Sequence, residues 1–152
     1  MVKVVYHIAD IHIRLFKRHL EYQTVLDKLY ENILKDITKR KLNRNEVRIA
    51  IAGDLVHSKN QMTPELVSFV IRMLNDCTNI CKTVIILGNH DFLANNLDRM
   101  DALSPLIESL DNKDILFYKD TGCYEDDNVM WCIFSQITGS DRPKIEESKK
   151  QF

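Results

Sequence analysis

Hydrophobic residues fall along this chain in runs that change period. Val2, Val4, Val5, Ile8 and Ala9 form a nearly continuous apolar stretch, the pattern of a strand buried on both faces. Over residues 20–41 the spacing shifts. Val25, Leu26, Leu29, Tyr30, Ile33, Leu34 and Ile37 recur at steps of three and four, which lays an apolar stripe along one helix. Lys39, Arg40 and Lys41 close that segment, where cations suit the negative end of a helix dipole. A second buried strand is predicted over Val47–Ala52, stopping at Gly53-Asp54. Thr63 and Pro64 then read as the cap and first residue of a helix, with Leu66, Val67, Val70, Ile71 and Leu74 on its apolar face. A third strand over residues 83–87 ends at Gly88-Asn89-His90-Asp91, and a short helix is predicted over Ser104–Leu110.

The order is βαβαβα. It predicts an α/β fold with parallel strands and helices packed on the faces of the sheet. The pattern then shortens. Residues 115–118, Cys123-Tyr124 and residues 129–137 read as short strands, with Glu125-Asp126-Asp127-Asn128 as the turn between the last two. This end is expected to be antiparallel. Residues 139–152 are polar and charged and read as a tail, leaving residues 1–138 as one domain.

Composition removes some functions and leaves others. Of 152 residues, 45% are hydrophobic and 28% charged, enough for a real core. The net charge is −1, so no global basic field draws the chain to nucleic acid. A nucleic-acid substrate would need a local patch and metal ions. No apolar run approaches the ~20 residues of a membrane span. The N-terminus runs into a strand pattern with no secretory signal. The four cysteines, Cys77, Cys81, Cys123 and Cys132, include no Cys-x-x-Cys spacing. They are expected to be buried, reduced and inert in a cytoplasmic, reducing compartment.

Candidate chemistry sits where the strands end. The three strands close on Asp10-Ile11-His12, Gly53-Asp54 and Gly88-Asn89-His90-Asp91. Sites in open α/β sheets gather beyond the carboxyl ends of the strands, so these groups should meet. Carboxylate, imidazole and amide oxygen suit manganese, zinc or iron. Asp10 and His12 are two apart and leave the strand on one side. A carboxylate such as Asp54 can bridge two ions, which would clamp a phosphate and activate water. His7, inside the first strand, reads as a core histidine or one behind the site, and His19 as a surface residue.

The three motifs, in this order, resemble the calcineurin-like metallophosphoesterase superfamily. The resemblance is firm over residues 4–91 and loose to about residue 137. It implies two divalent ions, Mn2+ first and Zn2+, Fe2+ or Mg2+ as alternatives. Asp10 and His12 would hold the first, Asp54 would bridge, and Asn89 would hold the second. His90 would act on the leaving oxygen, with Asp91 supporting it. His7-Ile8-Ala9-Asp10-Ile11-His12 and the run from Ile51 to Ser58 are similar to the SbcD-type DNA repair nucleases, as is Asp101-Ala102-Leu103-Ser104-Pro105-Leu106. That branch implies an active-site role for His57, DNA as substrate, and a homodimer with an ABC-type ATPase subunit as partner. Arg14, Lys17 and Arg18 form a basic run that could meet a DNA backbone. The superfamily also brings later histidines, a Gly-His and a Gly-His-x-His, and no histidine follows His90 here. The chain is therefore expected to hold the first half of a four-layer αββα fold. Two other functions remain open: a phosphatase or nucleotide phosphodiesterase with the same metal core, and a non-catalytic module with an incomplete metal site.

Overall fold

The chain is built around β2, Val47–Ala52, whose first five residues are buried. In this computed structural model, which describes residues 1–14, 18–93, 96 and 98–138, β2 lies between two parallel partners. β1 (Val4–Ile8) pairs with it from Val4 opposite Val47 to Ile8 opposite Ile51. β3 (Lys82–Ile86) pairs on the other side from Lys82 opposite Arg48 to Ile86 opposite Ala52. β4 (Ile115–Phe117) adds to β3, also parallel. The antiparallel pair expected at this end does not include this strand. α3 (Ser104–Leu110) lies between β3 and β4 in sequence, and a crossover helix returns the chain in the same direction. Antiparallel pairing is confined to β5 (Gly122–Asp126) and β6 (Val129–Ile133). β6 stops short of residue 137, because residues 136–138 form a turn.

The strand order is β1-β2-β3-β4. When sequential parallel strands are joined by right-handed crossovers, every crossover lies on the same side of the sheet. α1 (His19–Lys39), α2 (Pro64–Ile80) and α3 accordingly share one core with Ile49, Ile51 and Ile85. The other face carries the β5–β6 hairpin, with Trp131 and Ile133 packed on Ala50 and Val84.

The helices follow their capping and periodicity with one adjustment. The Thr63 hydroxyl accepts from the Leu66 amide at 3.4 Å, and Pro64 opens α2. On α1 only Leu26, Tyr30 and Ile33 are fully buried. Val25 and Leu34, expected in the stripe, are 67% and 49% exposed. They stand to either side of the line through residues 26, 30 and 33, and one sheet face covers only that line.

Two further expectations fail on this side of the molecule. His7 is exposed, because β1 is an edge strand and the hairpin core reaches only Val5 on that face. Cys77 and Cys81 are buried as expected, but Cys132 is exposed and Cys123 half-buried. The polar residues 139–152 and Lys17 lie outside the described residues. Among the described residues, no helix is long and apolar enough to cross a membrane.

A buried ion pair fastens the hairpin to β2. The Arg48 guanidinium donates Nε–H to Asp126 Oδ2 at 2.7 Å and Nη2–H to Oδ1 at 2.8 Å. Its Nη1 satisfies the Asn45 and Val47 carbonyls, and the Trp131 indole also donates to Asp126, at 3.3 Å. Arg48 holds the Asp126 carboxyl below the usual carboxylate range. A lowered folded-state value gives stability that is present above about pH 4 and fades as pH falls through the folded value. Asp126→Ala leaves a buried, unpaired guanidinium, so urea unfolding at pH 7 should show a loss of about 3–5 kcal/mol. The gap between variant and wild type should narrow in acid.

Candidate metal centre

Beyond the strands the backbone keeps its parallel ladder going. The Asp10 amide donates to the Gly53 carbonyl at 3.3 Å, His12 to Asp54 at 2.9 Å, and Ile13 to Leu55 at 3.0 Å. The His57 amide then returns to Ile13 at 3.0 Å. Within this frame Asp10, His12 and Asp54 adopt φ of 53°, 49° and 53°. Left-handed backbone costs a side-chain-bearing residue energy and persists only where its surroundings enforce it.

Two glycines bring the second and third motifs together. Gly53, at φ 85°, lies so near Gly88 that a side-chain carbon on it would come within 2.9 Å of the Gly88 Cα. A side-chain carbon on Gly88 would run into the carboxylate and amide of Asp54. The approach lets the His90 amide donate to Asp54 Oδ1 at 2.9 Å.

The side chains form two overlapping groups. Asp10, His12 and Asp54 each offer a ligand atom within 4.8 Å of the others. His12 Nε2 stands 3.8 Å from Asp10 Oδ1 and 3.9 Å from Asp54 Oδ2, too far for a hydrogen bond. His12, His57 and His90 form the second group, with ring centres 4.6 to 5.7 Å apart. His90 Nδ1 lies 2.8 Å from the His57 carbonyl. A carbonyl only accepts, so Nδ1 carries the hydrogen and Nε2 stays open for chemistry. Burial, followed by the charges of Arg14, His12 and His90, lowers the His57 pKa, favouring neutral imidazole. Asn89 is exposed at the turn between β3 and His90.

Asp91 does a different job from the one expected. Its fully buried carboxylate accepts from the amides of Gly88 at 2.9 Å, Val56 at 3.0 Å and Leu55 at 3.4 Å. The support for the His90 ring comes instead from the His57 carbonyl. Asp91 tethers the loop after β3 to the loop after β2, because three amides left over where the ladder ends all face it. Burial pushes its pKa up, against the pull of those amides.

Arg14 and Arg18, both exposed, line a cavity of about 480 Å³ together with His12 and Tyr22. Arg18 also stands 3.6 Å from the Glu21 carboxylate. Tyr22 had drawn no attention in the sequence; its hydroxyl donates to the His12 carbonyl at 2.9 Å. Its place one turn before Leu26 was the available signal. His19, expected at the surface, is partly buried, stacked on Phe69 and bonded to the Arg14 carbonyl.

Comparison with known proteins adds the family. The calcineurin-like phosphoesterase model matches residues 3–146. The chain belongs to the calcineurin-like phosphoesterase family. An uncharacterized protein of Acanthamoeba polyphaga mimivirus is 36% identical over 135 residues, covering 88% of this chain and 10% of that protein. The chain thus spans about a tenth of the length of that relative. Among solved structures, the nuclease MPE of Pseudomonas putida is similar at 18% identity and a TM-score of 0.45, over 82% of this chain and 50% of that one.

Calcineurin-like phosphoesterases typically depend on a pair of metal ions, and the residues present fit such a group. Buried Nδ1 of His12 and of His57 have no hydrogen-bond partner among the described residues. Two carboxylates converge on the other nitrogen of His12. This set has the hard and borderline donors that divalent first-row ions prefer. Gly88→Ala would press a side-chain carbon into both the carboxylate and the backbone amide of Asp54, so the two loops must separate there. Calorimetric titration with a divalent metal salt should therefore show affinity lower by about 10–100-fold, with an unchanged circular dichroism spectrum.

Proposed function

We propose that this chain supplies the metal-binding core of a phosphoesterase that hydrolyses phosphodiester bonds in DNA. The reading rests on His57. Its ring lies against both His12 and His90, and its carbonyl orients the His90 imidazole. A histidine three residues after the bridging aspartate is the feature similar to the SbcD-type nucleases. In this reading Asp10, His12 and Asp54 hold metal, and Asn89 joins Asp54 at a second ion, with Mn2+ as the native metal. Bound metal would lower the pKa of a water molecule and offset charge on the phosphate oxygens.

The chain's own groups then have defined work. His90, fixed through Nδ1–H, would act in its doubly protonated form, with Nε2–H giving a proton to the leaving oxygen or a hydrogen bond to its developing charge. His57 positions the substrate strand beside it. Arg14 and Arg18 meet a neighbouring phosphate of the strand in the cavity next to His12. The same reading makes a second copy of the chain and an ABC-type ATPase its partners.

One observation favours a second reading. No histidine follows His90 in the sequence, so a binding module with half a metal site is the competing function. Manganese calorimetry and cleavage assays separate the two. Two tightly bound ions with DNA cleavage support the phosphoesterase; one weak ion without cleavage supports the module. His90→Ala should bind metal normally and slow hydrolysis by about 10²-fold; normal speed would remove the role assigned to His90. His57→Ala should lose activity on oligonucleotides while sparing a small aryl phosphodiester. Equal losses on both substrates would overturn the DNA reading.

A further inference from the structure

The outer face of the β5–β6 hairpin carries two cysteines directly opposite one another. Cys123 pairs with Cys132 in the antiparallel register, and their sulphurs lie 3.5 Å apart. Counting back from the turn, Asp126 opposite Val129 closes a two-residue loop. Closing pairs of this kind exchange ladder hydrogen bonds, and the pairs alternate beyond them. Cys123 and Cys132 are the fourth pair and therefore a non-hydrogen-bonded one. Such pairs hold their Cα atoms about 4.5 Å apart, inside the 4.4–6.8 Å range that a disulfide spans. Rotation about the two Cα–Cβ bonds is then enough to bring the sulphurs to bonding distance, with no backbone movement.

The strands are already fixed on both sides of this pair. Toward the turn, Asp126 is held by Arg48 and Trp131 is buried. Toward the open end, the Ser135 amide donates to the Thr121 hydroxyl at 2.9 Å, and that hydroxyl donates back to the Ser135 carbonyl at 3.3 Å. Alternation sends Trp131 and Ile133 into the core and leaves Cys132 exposed. The other two thiols are sealed. Cys77 and Cys81 are fully buried, and burial pushes them up to about 12 and about 11, which suppresses the thiolate needed for exchange.

We propose that Cys123 and Cys132 form an oxidisable dithiol site that closes to a cross-strand disulfide by exchange with a small-molecule disulfide. One cysteine thiolate attacks a sulphur of the small disulfide, forming a mixed disulfide and releasing one small thiolate. The neighbouring protein thiolate then attacks the protein sulphur and expels the second. The two cysteines lose two protons and two electrons, and the small disulfide is reduced to two thiols. The site stands apart from the metal centre and does not depend on the proposed phosphoesterase activity.

The test uses the 152-residue chain and oxidised glutathione at neutral pH, followed by acid quenching. Thiols are titrated in denaturant and peptides mapped by mass spectrometry. Two of the four cysteines should be lost, the intact mass should fall by two hydrogen atoms, and one peptide should link Cys123 to Cys132. Reductant should restore all four. Cys132→Ser should stop at a mixed disulfide on Cys123, and wild type should not. Four surviving thiols, a stable mixed disulfide on the wild-type protein, or a link between two chains would each overturn the proposal.

Discussion

Gly53 and Gly88 meet where β2 and β3 release the chain, and the rest of the site follows from that contact. Any side chain on Gly88 would occupy the space of the Asp54 carboxylate and amide. Because there is none, the loop after β3 can lie directly on the loop after β2. Asp54 then accepts the His90 amide, Asp91 gathers the amides of Leu55, Val56 and Gly88, and the His57 carbonyl takes up His90 Nδ1. Each of these bonds joins residues more than thirty apart in sequence, except the bond between Asp91 and Gly88. None of them could form if the two turns were held a side chain's width apart.

The two faces of the sheet are held by different physics. The helical face is apolar throughout, with Ile49, Ile51, Leu66, Leu74 and Ile85 almost wholly removed from water; burying each such side chain contributes about 1.5–3 kcal/mol. The hairpin face has a small core of Ala50, Val84, Trp131 and Ile133 and adds a charge pair. Two buried ions gain little net stability over an apolar pair of the same shape. What Arg48 and Asp126 contribute is orientation, since a bidentate contact accepts one alignment of the hairpin and penalises any slip in register.

The sequence carried the period-dependent features clearly. The apolar run of Val47–Ala52 and the Thr63-Pro64 start of α2 follow from local rules, and the structure has them in those places; Asp10, His12 and Asp54, expected to meet beyond the strands, do come together there. Features that depend on distant partners were not legible. Val25 and Leu34 look like core residues until one knows that α1 covers the sheet with a single line of side chains. Residues 115–117 give no sign of strand direction, which is set by α3 packing on the helical face. Asp91 follows His90 in the chain, a position that suggests it supports that ring. Its carboxylate instead serves backbone amides whose free state only the ladder's termination reveals. His7 shows the opposite error, an apolar setting in sequence on an edge strand that stays open to water.

The electrostatics of the centre oppose its own assembly. Asp10 and Asp54 bring two carboxylates to His12, and all three residues sit in left-handed backbone. Each strained residue costs on the order of 1–3 kcal/mol, and like charges this close raise the total further. The chain holds the arrangement with main-chain bonds, several of them made by the backbone of Asp10, His12 and Asp54 themselves. The ladder from Asp10 to Ile13 runs through main-chain atoms, and Asp91 is anchored to amides rather than to a ligand. The frame stays fixed by buried amides, and the exposed carboxylate of Asp10, 74% accessible, remains free to meet a cation. Asp54 joins the two kinds of work, since one of its carboxylate oxygens accepts the His90 amide at 2.9 Å while the other faces His12, so a cation arriving there would meet a group already held in place.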